Sequence, residues 1–292
     1  MPMIVDPSAP EVTPPETVVS PDGWLTAAVD APWAGVVLAV DYTASTPLAG
    51  AADVLKVLIR RQDPGAAAPA PVRSADLAWA VEGIGTAYDH EAPLGVAVVY
   101  IARPQYADGT WGPESSLSLT LPEPALPADV WIKSLDEPGL SARVVVRSWP
   151  SLNWTANIET SQVSGNRYPA AGQDTYTASS SDIVIDADGS DIERIKELLT
   201  TPGVRLIQTR ADTHRPDMFV LFGDVQQSMD SKPAESRAYA AAVLEVARPD
   251  TAGQPMRMPG WSYDALAEQQ ATYDAAAASY PTYRSLAVRG LI

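Results

Sequence analysis

Between Thr86 and Leu121 the sequence TAYDHEAPLGVAVVYIARPQYADGTWGPESSLSLTL leaves few ways to fold. Val96, Val98 and Tyr100 alternate with Ala97, Val99 and Ile101 in a nearly continuous apolar run, the pattern of a strand buried on at least one face. Leu117, Leu119 and Leu121 resume the alternation with Ser116, Ser118 and Thr120 between them. Asp108-Gly109 and Gly112-Pro113 turn the chain between these runs, because glycine reaches positive φ and proline restricts it. The segment predicts a turn over Asp89 to Gly95, a long strand, a loop tip and a second strand. That is the closing hairpin expected of an immunoglobulin-like or fibronectin-type sandwich.

The flanking sequence extends this pattern. Further strands are expected near 24–30, 35–43, 53–62, 75–82, 95–103 and 115–121, which assigns residues 22–122 to an immunoglobulin/fibronectin-like β-sandwich. Ahead of it, prolines at 2, 7, 10, 14, 15 and 21 predict that residues 1–21 form an extended Pro-rich arm. Pro122 to Pro127 reads as a short stiff linker. Residues 128–250 then form a second β-rich unit, α+β or barrel-like, with strands near 140–147, 154–162, 174–186, 204–210, 217–229 and 236–248. A single helix interrupts them. Ser190-Asp-Ile-Glu193 is a capping box, Ile192, Ile195, Leu198 and Leu199 supply the apolar face, and Pro202-Gly203 ends it. Residues 255–292 form a helical tail in which Leu266, Tyr273 and Tyr280 recur every seven residues. Two heptads do not make an independent coiled coil, so this stripe has to lean on the body of the chain or on a neighbour. The expected fold class is thus mainly β.

Composition removes several function classes. With 20 basic against 36 acidic residues the net charge is −16, a surface that repels phosphate backbones and argues against nucleic acid as a partner. The chain has no cysteine, which excludes disulfides, thiolate metal sites and cysteine nucleophiles. The first basic residue is Lys56, so a signal-peptide n-region is not expected, and no apolar run reaches the length of a membrane span.

A search for chemistry finds little. His90 and His214 are the two histidines; neither lies in a metal-ligating pattern, and no G-x-S-x-G accompanies them. His90 is expected to be a surface residue of a turn. The cluster Asp182, Asp186, Asp188, Asp191 and Glu193 lacks the glycine spacing of a calcium loop, and its last two members suit a helix amino end. No phosphate loop occurs, so no catalytic residue, cofactor or metal is assigned. Eight tryptophans and eleven tyrosines against two phenylalanines favour surfaces that meet both protein and water. Trp111, at the predicted loop tip, and Trp261, Tyr273 and Tyr280, in the tail, are the candidate partner-interface residues.

Tyr88-Asp-His-Glu-Ala-Pro-Leu-Gly95, leading into Val96-Ala-Val-Val-Tyr100-Ile-Ala-Arg103, resembles a recurring segment of minor tail proteins of long-tailed actinobacterial phages. Glu197-Leu-Leu-Thr200 with Val204-Arg-Leu-Ile-Gln208, Phe219 to Val225, Ala242 to Pro249, and the closing Trp261, Tyr273 and Tyr280-Pro-Thr-Tyr283 are similar to later parts of the same proteins. The resemblance spans most of residues 24–292 and rests on strand and turn patterns. It implies a structural subunit of the tail tip or baseplate, located in the virion and assembled in the host cytoplasm. The implied partners are other tail proteins (tail tube, tape measure, hub or neighbouring minor tail proteins) and further copies of the chain, with no membrane insertion. It implies no catalytic residues. The alternative is a receptor-recognition adhesin that binds host cell-wall glycan through exposed Trp and Tyr; a glycan hydrolase ranks below both.

Overall fold

The structure, a computed structural model, describes residues 17–44, 46–149, 151–162, 164–165, 167–189, 191–213, 215–229, 236–252, 270 and 272–280. It is mainly β. The first unit contains β1 (Thr17–Val19), β2 (Leu25–Asp30), β3 (Gly35–Asp41), β4 (Val54–Gln62), β5 (Ala70–Pro71), β6 (Ala78–Trp79), β7 (Ile84–Asp89), β8 (Ala97–Tyr106) and β9 (Ser115–Thr120). They form two antiparallel sheets, β1-β2-β3-β7 and β5-β4-β8-β9, with β6 added to β4. The core lies between the sheets. Leu25, Val36, Leu38 and Val40 from one meet Val57, Ile59, Val98, Tyr100 and Leu119 from the other.

The alternation seen in the opening hairpin sets this register. Val98 pairs with Leu119 and Tyr100 with Leu117, and all four are buried. A one-residue slip would turn this row to solvent and bury the Ser116/Ser118 row instead. β3 departs from simple alternation: Val36 through Val40 are all buried, so this strand is covered on both faces.

Three expectations need correction here. The proline-rich arm does not stay extended and free up to residue 21, because Thr17–Val19 pairs with β2 in register; residues 1–16 lie outside the described residues. Of 75–82 only Ala78–Trp79 is a strand, β6; Ala75 ends a 3-10 turn, Arg73–Ala75, and Val81 makes an isolated bridge to Ile84. Residues 84–89, expected to lead into a turn, form β7, which pairs along its whole length with β3. Its sequence Ile-Gly-Thr-Ala-Tyr-Asp lacks the β-branched density that marks β3.

Between β6 and β7 the chain reverses over Glu82-Gly83, both at positive φ (50° and 79°), with Val81 and Ile84 exchanging 2.9 Å backbone hydrogen bonds. This two-residue reversal favours Asn-Gly, and glutamate is strained in it. Glu82→Asn is expected to stabilise the chain by about 0.5 kcal/mol, read as a higher thermal midpoint; an unchanged or lower midpoint would show that the strain is relieved elsewhere.

The second unit contains β10 (Asp129–Ser134), β11 (Ala142–Ser148), β12 (Ile158–Ser161), β13 (Ala170–Gln173), β14 (Ser180–Asp188), β15 (Arg205–Gln208), β16 (Met218–Met229) and β17 (Ser236–Glu245). Six of these close a barrel in the order β10-β11-β14-β17-β16-β15, with β15 returning to β10. Closure leaves the barrel no exposed sheet edge. Helix α1 (Asp191–Thr200) buries Ile195, Leu198 and Leu199 in the barrel core, with Ile192 packed alongside, as the sequence pattern predicts. Arg205 donates to the carbonyls of Leu198 (3.3 Å) and Thr201 (2.8 Å), satisfying groups that the end of a helix leaves open.

Two parts of this unit stand apart. β12 and β13 pair with each other and form a ribbon outside the barrel, and all eight of their residues are exposed. Near the end of the chain a short helix, Tyr273–Ser279, is the described part of the expected helical tail. It buries no residue; Tyr273 is 95% exposed, and Tyr280, just after it, is half-buried. Leu266 and the rest of 255–269 lie outside the described residues. Among the described residues no helix is long and apolar enough to cross a membrane.

Candidate functional site

The polar groups of this chain converge on the seam between its two units. β10 and β15 supply the barrel side. In their antiparallel register Ile132 lies opposite Ile207, and both point into the barrel core. Period-two alternation therefore sends Trp131, Lys133, Leu206 and Gln208 to the outer face. There they are buried rather than wet, because the two-sheet unit covers them. Trp131 packs within the core of that unit.

Opposite them runs Asp89-His90-Glu91-Ala92, the chain leaving β7. Lys133 Nζ crosses the seam and donates to the carbonyls of Ala34 (2.6 Å) and His90 (3.0 Å). Gln208 Nε2 donates to Ala92 O at 3.0 Å and to Asp217 Oδ2 at 2.8 Å. Helix α1 adds Arg194, which donates to Ser141 O and lies over the Trp33 ring, 5.2 Å from its centroid.

Two carboxylates organise the surrounding charge. Asp89 is buried and accepts from Arg61 Nη1 at 2.7 and 3.0 Å, from Tyr100 Oη at 2.9 Å and from the Glu91 amide at 2.9 Å. Burial alone would raise its pKa, but Arg61 and these hydrogen bonds hold it below the usual carboxylate value. Burial, then the Asp89 charge, pushes Tyr100 well above 10. Glu91 accepts from Arg73 and Arg248, the latter at 2.7 Å through Nε and 2.6 Å through Nη2. Arg248 follows the last barrel strand, so Glu91 ties the end of the barrel to the sheets. Arg73 also donates to the carbonyls of Pro249 and Asp250, and Thr251 donates to Asp76. Residues 248–251 are thereby strapped across the seam.

His90 is not the surface turn residue that the sequence predicts. It is buried, with Nε2 2.8 Å from Ser141 Oγ. The preceding strand, missed in the sequence, carries it inward. Burial and the Lys133 charge push its pKa well below 6.5, so the imidazole is neutral. Ser141 Oγ also accepts from the Ser134 amide at 2.9 Å. Both residues are buried at the seam between the two units, where the pair joins the chain after β7 to the chain before β11. Lys133 is likewise buried, and desolvation brings its pKa down from 10.5 to about 7 against the favourable charges of Asp89, Asp217 and Glu91.

The proline-rich stretch 122–127 takes part as well. Arg210 donates to Pro124 O (2.7 Å) and Ala125 O (3.1 Å) and pairs with Glu123 at 3.1 Å. The connection is clamped to the barrel.

Of the surface residues singled out in the sequence, Trp111, Tyr273 and Tyr280 are among the described residues. Trp111 sits at the tip between β8 and β9, 38% exposed, with the Arg103 guanidinium 5.3 Å from its ring centroid. Tyr273 opens the short terminal helix, Tyr280 follows it half-buried, and Trp261 lies outside the described residues. More open aromatics occur elsewhere, among them Trp79, Trp154, Tyr168 and Tyr176. Asp191 and Glu193 occupy the first turn of α1, and Asp186 pairs with Arg147 at 2.8 Å. Among the described residues no group of three His, Cys, Asp or Glu side chains is placed to hold a metal ion. An open depression of about 300 Å³ at the base of the ribbon is lined by Asn153, Ser180, Asp182, Gly223 and Leu244, of which Asp182 is the titratable one. Neither protein-family models nor curated proteins match this chain.

Proposed function

We propose that this chain is a structural virion protein, a minor tail or tail-tip (baseplate) subunit of a long-tailed phage that joins other tail proteins and further copies of itself. The observation that carries the reading is the ribbon. From Asn153 to Ser180 the chain leaves the barrel, pairs with itself through β12 and β13, and returns, with Trp154, Ile158, Tyr168 and Tyr176 all more than half exposed. A two-stranded ribbon is marginal in water by itself, and exposed aromatics of this kind are what interfaces bury. The body behind it is tied together by the seam, which suits a part that transmits load and does not turn over substrate. The resemblance of Tyr88 to Arg103 to minor tail proteins adds the setting. Its Asp89-His90-Glu91 core is the seam itself, so the likeness lies in residues that hold the two units together.

Within this reading the two-sheet unit is immunoglobulin- or fibronectin-like, and the terminal helix belongs to a helical tail. Cyclic closure is the usual way for such subunits to assemble. Mass spectrometry of purified particles of the encoding phage is expected to find the chain in constant ratio to the tail-tube protein. Its absence from intact virions would sink the proposal.

The exposure of Trp79 (69%) and Trp154 (56%) supports the second reading, an adhesin stacking rings on host cell-wall glycan. Trp154 is the stronger candidate, since Lys56 lies 5.0 Å from the Trp79 ring centroid and Arg103 5.3 Å from that of Trp111. Retention of the purified chain on host cell-wall fragments, lost on Trp154→Ala or Trp79→Ala, would favour the adhesin.

A further inference from the structure

The ribbon differs from the rest of this chain in charge. Residues 149–180 contain three charged side chains, Glu159, Arg167 and Asp174, on a chain of net charge −16. β13, Ala170-Ala171-Gly172-Gln173, contains none. Among the described residues it pairs along one edge, with β12, and its other edge has no strand beside it. Natural edges of this kind are kept short or guarded by lysine, proline, a bulge or an inward charge; β13 is short and follows Pro169, but none of the other guards lies within Ala170–Gln173.

We propose that β13 is the contact through which two copies of this chain associate, its open edge pairing antiparallel with the same edge of the second copy about a two-fold axis. The proposal rests on the reading of the chain as an assembly subunit and names the ribbon's partner. Two acidic molecules that meet through most of their surface set carboxylate against carboxylate. At β13 they do not. Pairing through β12 instead would bring the two Glu159 side chains together, and like charges across a strand pair are destabilising. A basic partner would be drawn to the acidic body in preference to this uncharged strand. Alanine and glycine side chains also let a second backbone approach to the usual strand spacing of about 4.8 Å. The result is a four-stranded sheet in which each marginal two-stranded ribbon gains a neighbour. A self-complementary patch of this kind makes an isologous contact, in which both copies use the same residues.

Sedimentation velocity of the purified full-length chain over micromolar concentrations tests this. A reversible dimer is expected. Ala171→Lys and Ala171→Glu should each weaken it about tenfold or more, because each sets like charges across the axis, whereas an equimolar mixture of the two should dimerise again. Position 171 is exposed, so both variants should keep the parent thermal midpoint. A chain that stays monomeric, a dimer indifferent to both variants, or a mixture that fails to recover would overturn the contact. Absence from virions would overturn the functional reading alone and leave the sedimentation result standing.

Discussion

Replacing Glu91 with alanine is expected to lower the unfolding free energy by about 3 kcal/mol, among the largest losses available to a single side chain here. The carboxylate is 3% exposed and faces two guanidiniums, Arg73 at 14% and Arg248 at 27%. Removing it leaves two cations at the seam with no counter-charge. Because Arg248 still reaches water, the loss sits at the low end of what breaking a buried pair costs. The strap at 248–251 loses one of its anchors too, so limited proteolysis should cut there sooner. Glu91→Gln keeps an acceptor and should lose about half as much. Urea unfolding followed by tryptophan fluorescence measures both. A change below about 1 kcal/mol for alanine would mean that the seam does not depend on this carboxylate.

The second large effect is a pH dependence centred on Lys133. Its folded pKa is about 7, against 10.5 in the unfolded chain. Between these values the unfolded state binds more protons, so the unfolding free energy rises with pH from about 7 towards 10 and is flat below 7 for this group. The full difference corresponds to about 5 kcal/mol, of which about 3 kcal/mol is gained between pH 7 and 9.5. Asp217, raised by burial, acts in the opposite sense: its stabilisation is present in acid and lost as pH rises through its folded pKa. Tyr42 and Tyr100, both raised by burial, subtract stability only above about 10. Urea midpoints from pH 7 to 9.5 should therefore climb in the parent and stay nearly level in Lys133→Met. That variant should also be less stable at pH 9.5, since the carbonyls of Ala34 and His90 lose their donor. Equal slopes in the two proteins would remove Lys133 as the origin.

The elements that could be read in the sequence are those whose burial is decided locally. β8 and β9 alternate because one face is core, and α1 carries its apolar stripe at helical spacing with acids in its first turn. The elements that escaped are those whose environment is supplied from far along the chain. Asp129–Ser134 is buried on both faces, so it shows no alternation, and Lys133 in its middle looks like a surface residue. β7 has weak strand chemistry and is held by its pairing with β3. The barrel's closure depends on β10 meeting β15, more than seventy residues away, and nothing local to either strand announces it.

The seam shows the same division more sharply. Asp89, His90 and Glu91 stand together in the sequence as an ordinary polar turn, and their partners Arg61, Ser141, Lys133, Arg73 and Arg248 are spread over the length of the chain. By itself the sequence determined the mainly β class, the apolar face of helix α1 and an acidic chain without thiol chemistry. Those properties depend on composition and short-range period, which side chains express wherever the chain goes. Only the tertiary structure decided that the turn is an internal latch, that the proline-rich connection is clamped and that the ribbon is left bare. Those depend on which distant groups desolvate one another, and burial turns an unremarkable lysine, histidine and glutamate into the residues on which the join between the two units rests.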